Sequence, residues 1–171
     1  PERFRYEADP RHAEIMVRGL TSGQHSIGTP GVRLKAVRGQ TDAEATIGGD
    51  EPLAEHEARL FRSSAARANY LGLDRPDMAF AATEVCRRRG APTGADLEAL
   101  RRLAKYAAGR PRAVYQFNWQ EPSQLEVFVD TDFAGCTETR RSTSGGCALL
   151  GRHLLKHWST TQKVVTLSSG E

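Results

Sequence analysis

The sequence predicts an α+β fold in which a helical segment precedes a β-meander, and two changes of residue pattern mark the halves. Between Leu53 and Ala107 apolar residues recur three and four apart, the spacing that lines one face of a helix. From Ala113 onward they alternate instead, among β-branched and aromatic residues, as half-buried strands do. Gly109 and Pro111 stand at the change, which places the natural cut near residue 111.

The chain opens on an extended stretch from Phe4 and passes into a short helix, with Asp9 as N-cap, Pro10 in the first turn and Gly19 as the stop. Ile15 and Leu20, with Ala13, Met16 and Val17, form the apolar side of that helix. Residues 21–52 are rich in Gly, Ser, Thr, Asp and Pro and read as a long connector, ordered only in part. A helix then carries Leu53, Leu60, Ala65, Ala68 and Leu71 and ends near Gly72. Pro76 opens the next, with Met78, Ala81, Ala82 and Val85 on one side. Arg87-Arg88-Arg89 closes it, where the helix dipole favours cations. Thr93 and Asp96 have the spacing of a capping box, and Leu97, Leu100, Leu103 and Ala107 follow at helical intervals. Residues 113–119 and 125–131 read as strands joined by the turn-forming Gln120-Glu121-Pro122-Ser123. Residues 145–150 and 154–158 form a second pair about Gly151-Arg152-His153, and residues 164–167 a further extended run.

Composition excludes several classes. With 39% apolar and 26% charged residues, the chain has enough apolar content for a core and is not wholly disordered. The mean hydropathy is -0.53, and no apolar run approaches the roughly 20 residues of a membrane helix, so no membrane partner is expected. No charged segment followed by an apolar block opens the chain, so no signal peptide is visible, although the lack of a starting Met leaves room for a removed N-terminal address. The unpatterned cysteines fit a reducing compartment, so the expected location is intracellular and not secreted. The net charge of +3 is compatible with a polyanionic partner without requiring one. Cys86, Cys136 and Cys147 are odd in number and irregularly spaced, which argues against a disulfide framework or a CxxC metal site. Of the five histidines His153 and His157 are four apart, but an extended segment holds them too far apart to share a metal, and GxSxG, Walker and Rossmann glycine patterns do not occur.

Three groups of residues remain as candidates. Alternation along 127–132 puts Phe128, Asp130 and Asp132 on one strand face. A carboxylate at the end of an apolar strand needs a partner, and a divalent cation such as Mg²⁺ is one that prefers carboxylate oxygen. Alternatively, both aspartates terminate the strand and hydrogen-bond the turn Phe133-Ala134-Gly135. Arg140 and Arg141 beside Ser142, Thr143, Ser144, Gly145 and Gly146 suit a phosphate, or equally a solvated hairpin loop. Arg101 and Lys105 are four apart on one helix, among Arg87, Arg88, Arg89, Arg102, Arg110 and Arg112. They form either a nucleic-acid-binding face or an ordinary charged exterior.

Taken in order, these blocks resemble the copia-type retrotransposon Pol polyproteins. Tyr70-Leu71 followed by Arg75-Pro76-Asp77 and Phe80-Ala81 is similar to the family's Y-L and R-P-D-x-x-F/Y-A signature. Pro92-Thr93 and Arg101-Arg102-Leu103-Ala104-Lys105-Tyr106 resemble the stretch that follows it. Asp130-Thr131-Asp132-Phe133-Ala134-Gly135 resembles D-A-D-W-A-G, and Arg140 to Gly145 matches R-R-S-T-S-G. Trp158-Ser159 with Gln162-Lys163, and then Leu167-Ser168-Ser169-Gly170-Glu171, resemble W-x-S-K-K-Q and L-S-S-x-E. The likeness is strong from about residue 57 onward and weaker over residues 1–33. Phe133 in place of Trp, and Tyr106-Ala107-Ala108-Gly109, depart from the pattern at packing positions.

The resemblance implies three regions. Residues 1–52 would be the end of the reverse transcriptase region and a flexible connector, and residues 53–111 a helical connection segment. Residues 112–171 would be the antiparallel three-stranded start of an incomplete ribonuclease H-like sheet, with an apolar face or an edge left open. That domain hydrolyses RNA in RNA–DNA hybrids with two Mg²⁺ (or Mn²⁺) ions held by carboxylates. The implied metal ligand and catalytic carboxylate is Asp130, with Asp132 and Glu171 as further catalytic candidates. Glu171 matches the earlier glutamate of the family's S-S-x-E-A-E, whose metal-binding glutamate comes two residues later. The chain alone is therefore expected to be inactive, and the polymerase's Y-x-D-D is not in it. Implied nucleic-acid contacts are Arg140, Arg141, Ser142, Thr143, Arg101 and Lys105. Implied partners are an RNA–DNA hybrid or other nucleic acid and the remainder of the polyprotein, in the cytoplasm, the nucleus or a virus-like particle. The alternative is a non-catalytic nucleic-acid-binding or structural remnant of such an element.

Overall fold

Four helices and five strands form along residues 2–21, 23, 25–31, 49–121, 124–136 and 139–168, the residues described by the computed structural model. Their order is β1 (Arg3–Glu7), α1 (Pro10–Leu20), α2 (Glu55–Leu71), α3 (Pro76–Arg87), α4 (Gly94–Gly109), β2 (Val114–Asn118), β3 (Leu125–Asp132), β4 (Thr143–Leu150) and β5 (His153–Thr161). The class is α+β, and the chain divides into two units: Glu7–Ala113 holds the helices, while Pro1–Tyr6 with Val114–Glu171 holds the strands. Among the described residues, no helix is long and apolar enough to cross a membrane.

The helices start where the side chains can satisfy free backbone N–H groups. The Asp9 carboxylate accepts the Arg11 N–H at 3.0 Å ahead of Pro10, and Thr93 with Asp96 forms the capping box of α4. Thr21 ends α1 by donating both its N–H and its hydroxyl to the Val17 carbonyl, at 2.9 and 2.8 Å. Phe61, Met16, Met78, Leu100 and Leu103 are the largest fully buried side chains, and Ala65, Ala68, Ala82, Ala104 and Ala107 pack among them. Burying a side chain the size of Phe61 stabilises by about 1.5–3 kcal/mol. Two expected core positions face outward instead: Ile15 of α1 and Leu60 of α2 are exposed. In α2 the buried set is Ala58, Phe61, Ser64, Ala65, Ala68 and Leu71, and Leu60 stands about 100° round the helix from Phe61.

In the strand unit β3, β4 and β5 form an antiparallel sheet in that order. Across it Asp130 faces Gly145 and then Ser159, while Val129 faces Gly146 and then Trp158. A Cβ on Gly146 would lie 2.3 Å from Trp158 Cζ2 and 2.5 Å from the Phe128 carbonyl oxygen, so glycine lets the indole lie over the strand. Two strand expectations are corrected. Residues 113–119 do not extend the meander: β2 pairs with β1 in a separate two-stranded sheet, through Trp119 N–H to Glu2 O at 2.9 Å and paired aromatic rings. Residues 164–167 form bends and open chain, with no strand paired to them among the described residues and with Val164, Val165 and Leu167 exposed. The expected open surface is present: Leu125, Val127 and Val129 on one face of β3 and Phe128 on the other are all exposed, and β4 is the one strand hydrogen-bonded to β3 among the described residues.

Candidate functional site

Pleating sends Asp130 and Asp132 to one face of β3, yet the two carboxylates have different surroundings. Asp130 is exposed and its Oδ1 accepts the Thr131 N–H at 2.9 Å. Its cross-strand neighbour is Gly145, which has no side chain, so the space beside the carboxylate is open. Asp132 is half-buried and turned inward. Its Oδ1 accepts the N–H of Thr143, and a Cβ on Gly135 would lie 2.0 Å from its Oδ2. It therefore clamps the loop that returns the chain from β3 to β4.

That loop is locked by further internal bonds. Ala134, with φ 50°, donates its N–H to Ser142 Oγ at 2.9 Å, and Arg140, with φ 56°, donates to the Cys136 carbonyl at 2.8 Å. The Gln162 N–H bonds the Ser142 carbonyl at 2.9 Å. Ser142 and Thr143 are buried, whereas Arg140 and Arg141 are exposed on the same loop. Glu171 lies outside the described residues, as do Ser169, Gly170, Pro122, Ser123 and most of the connector expected over 21–52.

Among the described residues, no group of three or more His, Cys, Asp and Glu side chains converges on a point that could hold a metal. Asp130 nevertheless suits a hard cation as a single ligand, since Mg²⁺ commonly takes one or two protein carboxylates and completes its shell with water and substrate phosphate. Its open flank beside Gly145 leaves room for those other ligands.

In the helical unit, folding occupies much of the basic set. Arg101 pairs with Glu98, Arg102 donates to Thr29 Oγ1 at 2.7 Å, and Arg110 donates to the Gly28 carbonyl at 3.1 Å while lying over the Tyr106 ring. Lys105 is half-buried one turn beyond Arg101. Burial pushes the Cys86 thiol up, and its Sγ donates to the Ala65 carbonyl, as in an unreactive structural cysteine.

Sequence reasoning missed one cluster. The Arg75 side chain is only 2% exposed and grips Asp77 with both ends of its fork, Nε to Oδ1 at 3.0 Å and Nη2 to Oδ2 at 2.8 Å. The Tyr106 hydroxyl of α4 donates to the same Oδ2 at 2.9 Å. Burial alone would raise the Asp77 pKa, but the Arg75 and Tyr106 hydrogen bonds outweigh it and hold the carboxyl below its ordinary range. The available signal was Arg and Asp flanking a helix-opening Pro76, with Tyr106 at the end of an apolar helix face.

No family model matches the chain, and no solved structure does. It is 38% identical over 111 residues to an uncharacterized mitochondrial protein of Arabidopsis thaliana, AtMg00810, across 65% of this chain and 46% of that protein. It is 32% identical over 111 residues to the retrovirus-related Pol polyprotein from transposon RE1 of the same plant, across 65% of this chain and 8% of the polyprotein. A second uncharacterized mitochondrial protein of that plant, AtMg00240, is 32% identical over 81 residues, and 73% of its length is covered. The chain thus spans less than half of the first two relatives.

Proposed function

Because the chain belongs to the family of copia-type, retrovirus-related Pol polyproteins, we propose that its β3–β5 sheet opens a ribonuclease H domain that cleaves RNA in RNA–DNA hybrids. The observation that carries this reading is Asp130, a carboxylate on an apolar strand that one local backbone N–H engages and that faces open space beside Gly145. In that domain Asp130 is one carboxylate of the metal site, and bound Mg²⁺ (or Mn²⁺) supplies activation of water and stabilisation of the leaving oxygen. Asp132 is a positioning residue that fixes the end of β3 and the direction in which Asp130 points. Arg140 and Arg141, exposed on a loop rigidified by Ser142 and Thr143, contact phosphates of the hybrid. The rest of the polyprotein supplies the remaining carboxylates.

Two measurements test the reading. On this chain, Mn²⁺ titrated into an isotopically labelled sample should broaden the amide signals of Thr131 and Gly145 first, and Asp130→Asn should abolish that selectivity. In a longer Pol protein containing the chain, Mg²⁺-dependent cleavage of a hybrid should fall by at least about a hundredfold in Asp130→Asn, as expected for a residue that acts in the transition state. Cleavage that persists in this variant would overturn the assignment.

A further inference from the structure

We propose that Thr29 is a phosphorylation site whose phosphoryl group is received by Arg102 of α4 and by Arg110 just past its end. Residues 25–31 run beside that helix as a strap with no helix or strand structure of their own. Ile27 packs against the core, a Cβ on Gly109 would lie 2.6 Å from Ser26 Cβ, and one on Gly31 would lie 3.4 Å from Ala81 Cβ. The strap is thus held at both ends. Between those points two guanidinium groups reach it: Arg102 Nη2 donates to Thr29 Oγ1 at 2.7 Å, and Arg110 Nη1 donates to the Gly28 carbonyl at 3.1 Å. Arg102 and Arg110 stand about two turns apart along the chain yet converge on adjacent strap residues. Thr29 itself is exposed.

The first support is electrostatic. Arg88, Arg101 and Arg112 meet Asp96, Glu98 and Glu7, whereas Arg102 and Arg110 meet no carboxylate among the described residues. Asp77, which accepts from the Tyr106 hydroxyl beside Arg110, has both oxygens engaged by Arg75. Arg102 is half-buried with its Nε enclosed and unbonded among the described residues, a costly place for a cation held only by a neutral hydroxyl. The second support is local sequence: of the eight prolines, Pro30 alone follows a Ser or Thr. Proline drives the residue before it into extended backbone, the form in which a kinase selective for Ser/Thr-Pro takes its substrate. A Cβ on the preceding Gly28 would meet nothing within 4 Å, so the approach to Thr29 is open on that side. In the transfer, Thr29 Oγ1 forms a bond to the γ-phosphorus of ATP while the bond from that phosphorus to the bridging oxygen breaks. ADP leaves, and the hydroxyl proton passes to a base of the kinase. The product carries a charge of about −1.5 to −2 and three strong acceptor oxygens, which match a pair of arginines. Charge then ties the strap to α4 where one neutral hydrogen bond did so before.

The test treats the intact chain with ATP and a purified Ser/Thr-Pro kinase and locates the modification by tandem mass spectrometry. One phosphoryl group should appear on Thr29, and Thr29→Ala should take up none. Phosphorus NMR of the product then follows the second ionisation of the phosphoryl group, which lies near about pH 6 when nothing perturbs it. The arginines should draw it about one unit or more below its value in the urea-unfolded chain. Arg102→Gln and, at an exposed position, Arg110→Gln should each return it part of the way. Amide hydrogen exchange at Ile27 and Thr29 should slow about tenfold on modification, as for one added hydrogen bond to a charged group. Any of four results would overturn the proposal: no modification of Thr29 in the folded chain, the same ionisation folded and unfolded, an ionisation that neither glutamine variant changes, or strap exchange that is unchanged or faster. None of these readouts involves Asp130 or a metal, so they stand apart from the nuclease reading.

Discussion

Replacing Asp77 by Asn tests whether the Arg-Pro-Asp segment is a structural lock. Asparagine keeps the shape and one acceptor oxygen, but it removes the charge and turns an NH₂ group toward Arg75 Nη2 and the Tyr106 hydroxyl, both now donors to Oδ2. Breaking a fully buried ion pair from one side costs about 3–5 kcal/mol, and a single hydrogen bond to a charged group is worth about 1.5–3 kcal/mol. The Asp77 side chain is 34% exposed although Arg75 is almost wholly enclosed, so water makes up part of the loss. The expected destabilisation is then about 2–3 kcal/mol, which for a unit of this size lowers Tm by about 10–20 °C. The pH dependence has a definite sign. Asp77 is held below its ordinary pKa when folded, so its contribution is complete above the carboxylate range and is lost as pH falls through the folded value. The gap between wild type and variant in urea unfolding followed by circular dichroism should therefore be full at pH 7 and shrink below about pH 4. A gap under about 0.5 kcal/mol at pH 7, or one unchanged at pH 3, would refute the lock.

Phe61→Ala removes a fully buried ring from the centre of the helical core and should cost about 3–5 kcal/mol in the same unfolding experiment. Gly146→Ala forces a Cβ into Trp158 and the Phe128 carbonyl; a loss of about 1–3 kcal/mol and a shifted Trp emission spectrum are expected. Asp132→Ala strips the acceptor from the buried Thr143 N–H and should destabilise the strand unit by about 1–3 kcal/mol. Asp130→Asn, at an exposed position, should stay within about 0.5 kcal/mol of wild type.

Elements whose cause is local were legible in the sequence. Asp9-Pro10, Pro76 and the Thr93–Asp96 pair mark helix starts because capping acts over three residues, and the structure places helices at all three. The partner of β2 was not legible: alternation in 113–119 identifies a strand, but the strand it pairs with lies more than a hundred residues earlier, at Arg3–Glu7. Period reading also fails where alanine dominates. In α2 the buried alanines Ala58, Ala65 and Ala68 contrast so weakly with their neighbours that Leu60 and Phe61 look equally suited to the core, and tertiary packing selects Phe61. Arg75 was missed for a related reason, because a basic residue reads as surface until its carboxylate partner Asp77 is held by α3 and bonded in turn by Tyr106 of α4. At the candidate site, alternation correctly put Asp130 and Asp132 on one face, but whether each turns inward depends on the loop that follows.

That loop separates what the fold needs from what it merely carries. Asp132, Ser142 and Gly135 are explained by folding: the first accepts the Thr143 N–H, the second the Ala134 N–H, and the third leaves room for the Asp132 carboxylate. The charges of Arg75 and Asp77 are likewise spent on joining α3 to α4. Asp130 has no such explanation. Among the described residues its one acceptor bond is to the next residue, and a carboxylate between the exposed Val129 and Thr131 gains nothing from packing. Asparagine would serve the backbone there as well. On the proposed reading, this charge that folding does not require, set on a strand beside a glycine, serves a ligand outside the fold. The contrast between Asp130→Asn and Asp132→Ala is thus the sharpest separation of site from scaffold in this chain. If both variants proved equally destabilising, the D-x-D segment would be a turn device throughout, and the metal reading would lose its support.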